Sequence, residues 1–196
     1  QQLTMESNGK RVSVDGQPLD YTTGPVLWGS TGTLGQHSFH QLLHQGQLLC
    51  PVDFVLPLTT HTGMAQQHLN LVANCLAQSR TLMVGRSHKA AKDALLQRGL
   101  DNKKAEELAT HLVMPGNRPS SVITMESLNP TTLGALLALY EHRTFCSARL
   151  WNINPFDQWG VELGKEISID ISQKLQDTDN INIMDGATER LIQRWK

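Results

Sequence analysis

No stretch of this chain is apolar for long enough to cross a membrane as a helix. The longest such run, LGALLALY at 133–140, falls far short of the ~20 residues a span needs. Nor is positive charge in excess. Seventeen Lys and Arg stand against 18 Asp and Glu, a formal net charge of −1. Binding to nucleic acid through its phosphates ordinarily needs a clear basic surplus, and so does attachment to an anionic membrane surface. Neither nucleic acid nor membrane is therefore expected as a partner. Cysteine is sparse: Cys50, Cys75 and Cys146 are odd in number, form no CxxC pair and neighbour apolar residues. Core packing in a reduced, cytoplasmic protein suits them better than a disulfide framework. No charged and then apolar leader opens the chain, and there is no initial Met; Gln1 and Gln2 already read as structured sequence, which suggests a fragment of a longer protein. Repeats and low-complexity tracts are absent.

What is present suffices for a core. Of 196 residues, 39% are hydrophobic and only 18% charged, at a length near the upper end of one domain. The pattern over 3–14, LTMES-NG-KRVSV, suggests a β-hairpin turning at Asn8-Gly9, since both turn positions of such a hairpin want positive φ. GPVLWG at 24–29 suits a strand buried on both faces. A glycine-rich loop follows, and then SFHQLLHQG, in which Phe39, Leu42 and Leu43 recur at helical spacing and Gly46 stands where a C-cap glycine belongs. A second strand is expected over 52–58, with Pro57 placing its end near the edge of the ladder, and a third around SVITM at 121–125. Between them Leu69, Val72, Ala73, Leu76 and Ala77 mark a helix, with shorter helices over 89–97 and 102–111. Helices follow over 131–140 and 156–175, and 176–182 resembles a linker. Strands alternating with helices indicate an α/β fold with a parallel sheet.

Several groups could carry chemistry. In the helix after Asn154, Gln158, Glu162 and Lys165 share one face, while Leu163, Ile167 and Ile171 share the opposite one. The plainer reading is a solvated face with a Glu162–Lys165 pair worth ~0.2–0.5 kcal/mol; the sharper one notes that Phe156, Trp159 and Gly160 crowd the same turn. His37, His40 and His44 fall on one helical face, and the last two have an i, i+4 spacing used by zinc-binding helices. No Glu follows His40 as a metalloprotease motif requires and no Cys or carboxylate is near, so no metal is expected. His37 is placed at the junction of the glycine-rich loop with a helix N-terminus, where free N–H groups can hold an anion and a neutral imidazole is favoured. Gly29, Gly32 and Gly35 would form a ligand loop at the carboxyl end of a parallel strand, but their GxxGxxG spacing matches neither a dinucleotide fingerprint nor a P-loop. Glu6, taken alone, is one more carboxylate.

Together the segments QQLTMESNGK (1–10), TGPVLWGSTGTLGQHSFHQLLHQG (23–46), PVDFVLP (51–57), GNRPSS (116–121), LGALLALYEHRTF (133–145) and FDQWGVELGK (156–165) resemble the C-terminal part of the glucose-6-phosphate isomerase (phosphoglucose isomerase) family. MESNGK and FDQWGVELGK carry the resemblance most specifically. It implies a three-layer α/β/α sandwich of the sugar-isomerase (SIS) type: a lead-in over 1–22, part of the second SIS domain over 23–128, and a C-terminal helical segment over 129–196. The first SIS domain, with the Ser/Thr cluster that holds the sugar phosphate and an arginine that supports the enediolate, would precede Gln1.

By the same resemblance, Glu6 matches the base that moves the proton, and Gln2 and Gln158 match glutamines beside the substrate. His37 matches a ring-opening histidine that reaches the neighbouring subunit's site, and Lys165 a lysine that assists ring opening. The implied activity is cofactor-free interconversion of glucose 6-phosphate and fructose 6-phosphate by a homodimer, with the 196 residues inactive on their own. Such chemistry needs a carboxylate between C1 and C2, an acid/base pair at the hemiacetal and a cation near the developing enediolate. The alternative is a noncatalytic sugar-phosphate-binding SIS module, but a binder has no need of Glu6, His37 and Lys165 together. Ser30, Thr31, Leu34 and Ala148 depart from the family's usual residues near the glycine loop and upstream of FDQWG.

Overall fold

Residues Val52–Thr59 (β1) and Ser120–Ser127 (β2) hydrogen-bond in parallel, in a register that sets Val52 opposite Ser120 and Thr59 opposite Ser127. In this computed structural model, which describes residues 1–176 and 185–195, the helices are α1 (Gln2–Asn8), α2 (Gly32–Ser38), α3 (His40–Gln45), α4 (Ala65–Val84), α5 (His88–Gln97), α6 (Asn102–Ala109), α7 (Pro130–Leu150), α8 (Trp159–Gln176) and α9 (Gly186–Trp195). The linker expected over 176–182 lies, from 177 onward, outside the described residues. The chain divides into two compact units, Trp28–Tyr140 and a second built from Gln1–Leu27 with Glu141–Lys196.

In the unit Trp28–Tyr140 the α/β expectation holds. Parallel strands cannot be joined by a tight turn, so a long crossover must run between them; here it consists of α4, α5 and α6. Helix α4 packs on both strands, and Leu56 of β1 and Leu82 of α4 are buried. Pro57 pairs opposite Met125, shortly before β1 ends at Thr59. A two-stranded ladder draws on the N–H groups of alternate residues only, so a residue without one can be accommodated. A second cluster joins Ala91 and Leu95 of α5 to Ala105 and Ala109 of α6, with Leu100 and Leu112 against it. Serine and aspartate begin these two helices: the Ser87 hydroxyl accepts from the N–H of Ala90 at 3.2 Å, and the Asp101 carboxylate from that of Lys104 at 2.9 Å. Gly116 has φ +67°, and a Cβ there would lie 2.7 Å from the carbonyl of Val84. Only glycine lets the lead into β2 pass the end of α4 so closely.

Two expectations fail around the glycine loop. Residues 24–29 form no strand, and Val26 is 81% exposed. Apolar character does not make a strand without an edge to pair with, and no described strand lies beside this run. The expected single helix over 38–46 is broken at Phe39 (φ −140°, ψ −2°) into α2 and α3. Two glycines in α2 weaken its hold on the backbone, and Phe39 is anchored edge-on to Trp28, ring centroids 6.1 Å apart. Gly46 does cap α3, but in an extended conformation (φ −64°, ψ 154°) rather than a left-handed one.

In the other unit the hairpin expected over 3–14 is replaced by helix α1 and a return segment. Leu3, Met5 and Glu6 are good helix formers. Asn8 does not turn a hairpin because its side chain is committed elsewhere: it is 1% exposed, and its Nδ2 donates to the carbonyl of Thr144 at 3.2 Å. Gly9 then ends the helix. Residues 10–27 fold back along it. The Thr23 hydroxyl donates to the Lys10 carbonyl at 2.7 Å and accepts from the Lys10 N–H at 3.1 Å. Gly24, at φ +56°, passes so close to Asn8 that a Cβ would lie 2.8 Å from its carbonyl. The Tyr21 hydroxyl donates to the carbonyl of Trp151 at 2.7 Å, and beside it Ala148 and Ile153 are fully buried. Helix α8 buries none of its residues, and Leu163 of the expected apolar stripe is 60% exposed. Asp185 starts α9. Its carboxylate accepts from the N–H groups of Ala187 and Thr188 at 3.0 Å and from the Thr188 hydroxyl at 2.7 Å, and these bonds hold its carboxyl below the usual range. None of the described helices is long and apolar enough to cross a membrane.

The α5–α6 cluster yields a stability test. Leu95→Ala is expected to cost ~2–5 kcal/mol through lost burial and a residual cavity, and Ala105→Leu ~1–3 kcal/mol through overpacking at a fully buried site. Both should lower the thermal unfolding midpoint. An unchanged midpoint in Leu95→Ala would place this cluster outside the cooperative core.

Candidate active site

Helix α1 puts Gln2 and Glu6 one turn apart, on one face, because residues four apart in a helix are neighbours. The Gln2 amide donates to Glu6 Oε2 at 3.3 Å. Glu6 is half-buried, so its carboxylate is oriented by one neighbour and still open to a ligand. A carboxylate in that state can accept a proton. The helix itself is held from behind, through Asn8 on the Thr144 carbonyl and through the Thr4 and Thr144 hydroxyls at 3.5 Å.

Gln158 and Lys165 come from the start of α8. Gln158 does not lie on the helix, as the periodicity suggests, but just before it. Its carbonyl accepts from the N–H of Val161 at 2.8 Å, and its side chain is exposed. Lys165 donates to Glu162 Oε1 at 3.0 Å, so the solvated ion pair anticipated from the i, i+3 spacing is formed. Both groups are substantially exposed and the pair adds little stability. It does hold an ammonium on the outward face of α8, where a cation could serve a developing negative charge.

His37 belongs to the other unit, Trp28–Tyr140. It lies in the last turn of α2 and not, as expected, at a helix N-terminus; it therefore stands near the carbonyl end, not among free N–H groups. The break at Phe39 also separates it from His40 and His44, which are buried in α3. His40 Nδ1 and His44 Nε2 both approach Gln78 Oε1, at 3.2 and 2.8 Å. An amide oxygen can only accept, so both imidazoles donate to it. This pairing satisfies two buried polar rings. Among the described residues no group of three or more His, Cys, Asp or Glu could hold a metal ion. Cys75 is partly buried, and desolvation pushes its thiol up.

The residue that sequence reasoning leaves without a role is Lys10. Its Nζ donates to the carbonyls of Glu6 and Ser7, each at 2.8 Å, and to that of Asp157 at 3.0 Å. It also faces Asp157 Oδ1 at 3.2 Å. The signal was available, since a lysine just past a helix end commonly meets the last carbonyls, but reading 3–14 as a hairpin hides it. Of the five candidate residues, then, Gln2 and Glu6 touch, Gln158 follows directly on Asp157, which shares the Lys10 ammonium with the end of their helix, Lys165 is paired with Glu162, and His37 stands in the other unit.

The sequence profile of phosphoglucose isomerase matches residues 1–192. The chain is 50% identical over its whole length to the glucose-6-phosphate isomerase of Hahella chejuensis, of which it covers 35%, and 48% identical to that of Shewanella halifaxensis, of which it covers 36%. It thus spans about a third of the length of the curated relatives it matches. A crystal structure of a glucose-6-phosphate isomerase from Chlamydia trachomatis superposes on all of the chain and 35% of its own, with a TM-score of 0.75 at 34% identity. The parallel strand pair and its helices accordingly represent the SIS-type α/β fold that the sequence motifs imply. On this evidence of profile, sequence and fold, the chain belongs to the phosphoglucose isomerase family.

Proposed function

We propose that the protein containing this chain is a cofactor-free aldose–ketose isomerase that interconverts glucose 6-phosphate and fructose 6-phosphate, and that these residues are its C-terminal portion. The observation that carries the reading is the presence of Glu6, His37 and Lys165 within the span matched by the family profile, together with the Gln2–Glu6 hydrogen bond that orients the carboxylate. In the forward direction His37 and Lys165 open the pyranose: one group gives a proton to the ring oxygen while the other takes that of the anomeric hydroxyl. Glu6 then removes the C2 proton of the open-chain aldose, giving an enediol, and returns a proton to C1. The hydroxyl proton at C2 leaves as its carbonyl forms, and a proton reaches the C1 oxygen. Gln2 and Gln158 line the sugar. A cytoplasmic homodimer, with His37 serving the neighbouring subunit's site, completes the proposal.

The exposed character of α8 accords with a catalytic surface. Its outward side carries the Glu162–Lys165 pair at 3.0 Å, and an exposed ammonium can change partner when an anionic substrate arrives. The half-buried Glu6 cannot exchange its surroundings so freely, which suits a base that must stay oriented.

Two measurements test the assignment in the natural full-length enzyme. Glu6→Gln should keep KM for fructose 6-phosphate within a few-fold and lower turnover by ~10²–10⁴-fold, the usual loss for a positioned general base. Near-normal turnover in a coupled assay would remove Glu6 from the mechanism. His37→Ala should slow reaction of the cyclic sugar more than exchange of the C2 proton from the open-chain form, because ring opening and proton transfer are separate steps. Equal losses for both would assign His37 to proton transfer or to the fold instead.

A further inference from the structure

Lysine is among the side chains least often buried, yet that of Lys10 is only 14% exposed. An ammonium has three N–H donors, and all three are used on backbone: the carbonyls of Glu6 and Ser7 at 2.8 Å and of Asp157 at 3.0 Å. The buried Oδ1 of Asp157 accepts no hydrogen bond among the described residues and faces the ammonium at 3.2 Å, so the charge is compensated without using a fourth donor. Two of the acceptors are carbonyls at the C-terminal end of α1, where four carbonyls have no partner within the helix. One of them belongs to Glu6 itself. The third belongs to the residue that directly precedes Gln158 and the start of α8. That stretch is under backbone constraint, since Phe156 sits at φ +65°, a conformation costly for a bulky L-residue and kept only where its surroundings enforce it.

We propose that Lys10 is a positioning residue that sets the Glu6 carboxylate against Gln158 and the start of α8 by binding, with one ammonium, the carbonyls of Glu6, Ser7 and Asp157. It transfers no proton, because none of its N–H groups is free to do so. Its effect is geometric. A group displaced by about 1 Å from the reacting atoms can cost ~10²-fold in rate, and without the clamp both the end of α1 and the strained Phe156–Asp157 link are free to shift. Arginine is no substitute, since its planar fork cannot point at three carbonyls arranged about a single atom.

The proposal rests on the reading of Glu6 as the base, and a double-mutant cycle in the natural full-length enzyme separates the two. Lys10→Met should lower kcat tenfold or more with KM for fructose 6-phosphate within about twofold. In a Glu6→Gln background the same substitution should cost less than twofold, because a residue acting through Glu6 has little left to affect once the base is gone. Asp157→Asn, which keeps the backbone carbonyl, should have a smaller effect than Lys10→Met. If the losses from Lys10→Met and Glu6→Gln multiply, or if folded Lys10→Met turns over at the wild-type rate, Lys10 is a stabilising contact only and the proposal fails while Glu6 keeps its role. Near-normal turnover in Glu6→Gln would overturn the role of Glu6 and the clamp with it. Should Lys10→Met not fold, Lys10→Arg, which retains the charge opposite Asp157, takes its place in the cycle with the same supporting and overturning outcomes.

Discussion

A helix of seven residues cannot hold itself together in water, since nucleating one costs more than so few hydrogen bonds return, and this governs the part of the molecule that carries the candidate carboxylate. Helix α1 depends on contacts outside itself. Asn8 donates to the Thr144 carbonyl, the hydroxyls of Thr4 and Thr144 meet, Gly24 presses on the backbone at Asn8, and Lys10 takes the carbonyls at the open end. Each contact comes from a residue far away in sequence or just past the helix, and all but the close approach of Gly24 are hydrogen bonds. Burial of apolar surface contributes little here. Of the residues of α1 only Ser7 and Asn8 are buried, so hydrogen bonds carry the geometry and an unmade one would leave a buried group unsatisfied.

The unit Trp28–Tyr140 is organised on a different principle. Its parallel strands need a crossover, and the crossover supplies the core: Leu82 of α4 beneath the strands, and the alanine-rich contact of α5 with α6. Small side chains at Ala91, Ala105 and Ala109 let two helices approach closely, and capping by Ser87 and Asp101 spares their first N–H groups. Here local signals and packing agree. His37 rides on the less regular edge of this unit, in the short helix α2, whose two glycines leave its position to be decided by the anchoring of neighbouring Phe39 and Trp28.

The alternation of strands with helices, the strands read at 52–58 and 121–125, the helix marked by Leu69, Val72, Ala73, Leu76 and Ala77 and the Glu162–Lys165 pair were legible in the sequence, because each depends on periodicity or spacing within about two turns of chain. The candidate residues were legible for another reason: MESNGK and FDQWGVELGK are specific enough to carry a family resemblance across the whole segment. Three of the misreadings share one cause. Asn8-Gly9, GPVLWG and the glycine loop are short segments whose local preferences are weak or ambiguous, and at each the outcome turned on a partner elsewhere or on the lack of one among the described strands. Thr144 claimed Asn8, no described strand paired with residues 24–29, and the Trp28–Phe39 contact accompanied the break between α2 and α3.

Sequence by itself determined the class of fold and the order of its long elements, since these follow from side-chain type and from repeats of 2 and 3.6 residues; the candidate acid–base residues it offered only through resemblance to a family. Tertiary structure alone decided that the segment bearing Glu6 is a helix, that Gln2 lies within hydrogen-bonding distance of Glu6, that His40 and His44 share one amide oxygen, and that Lys10 is buried among three carbonyls. For the helix and for the shared amide oxygen the physical reason is the same. A hydrogen bond between groups well separated in the chain, such as Asn8 and Thr144, and the cost of leaving either group unpaired, leave no trace in local periodicity, yet they outweigh the small propensities that a short segment can express.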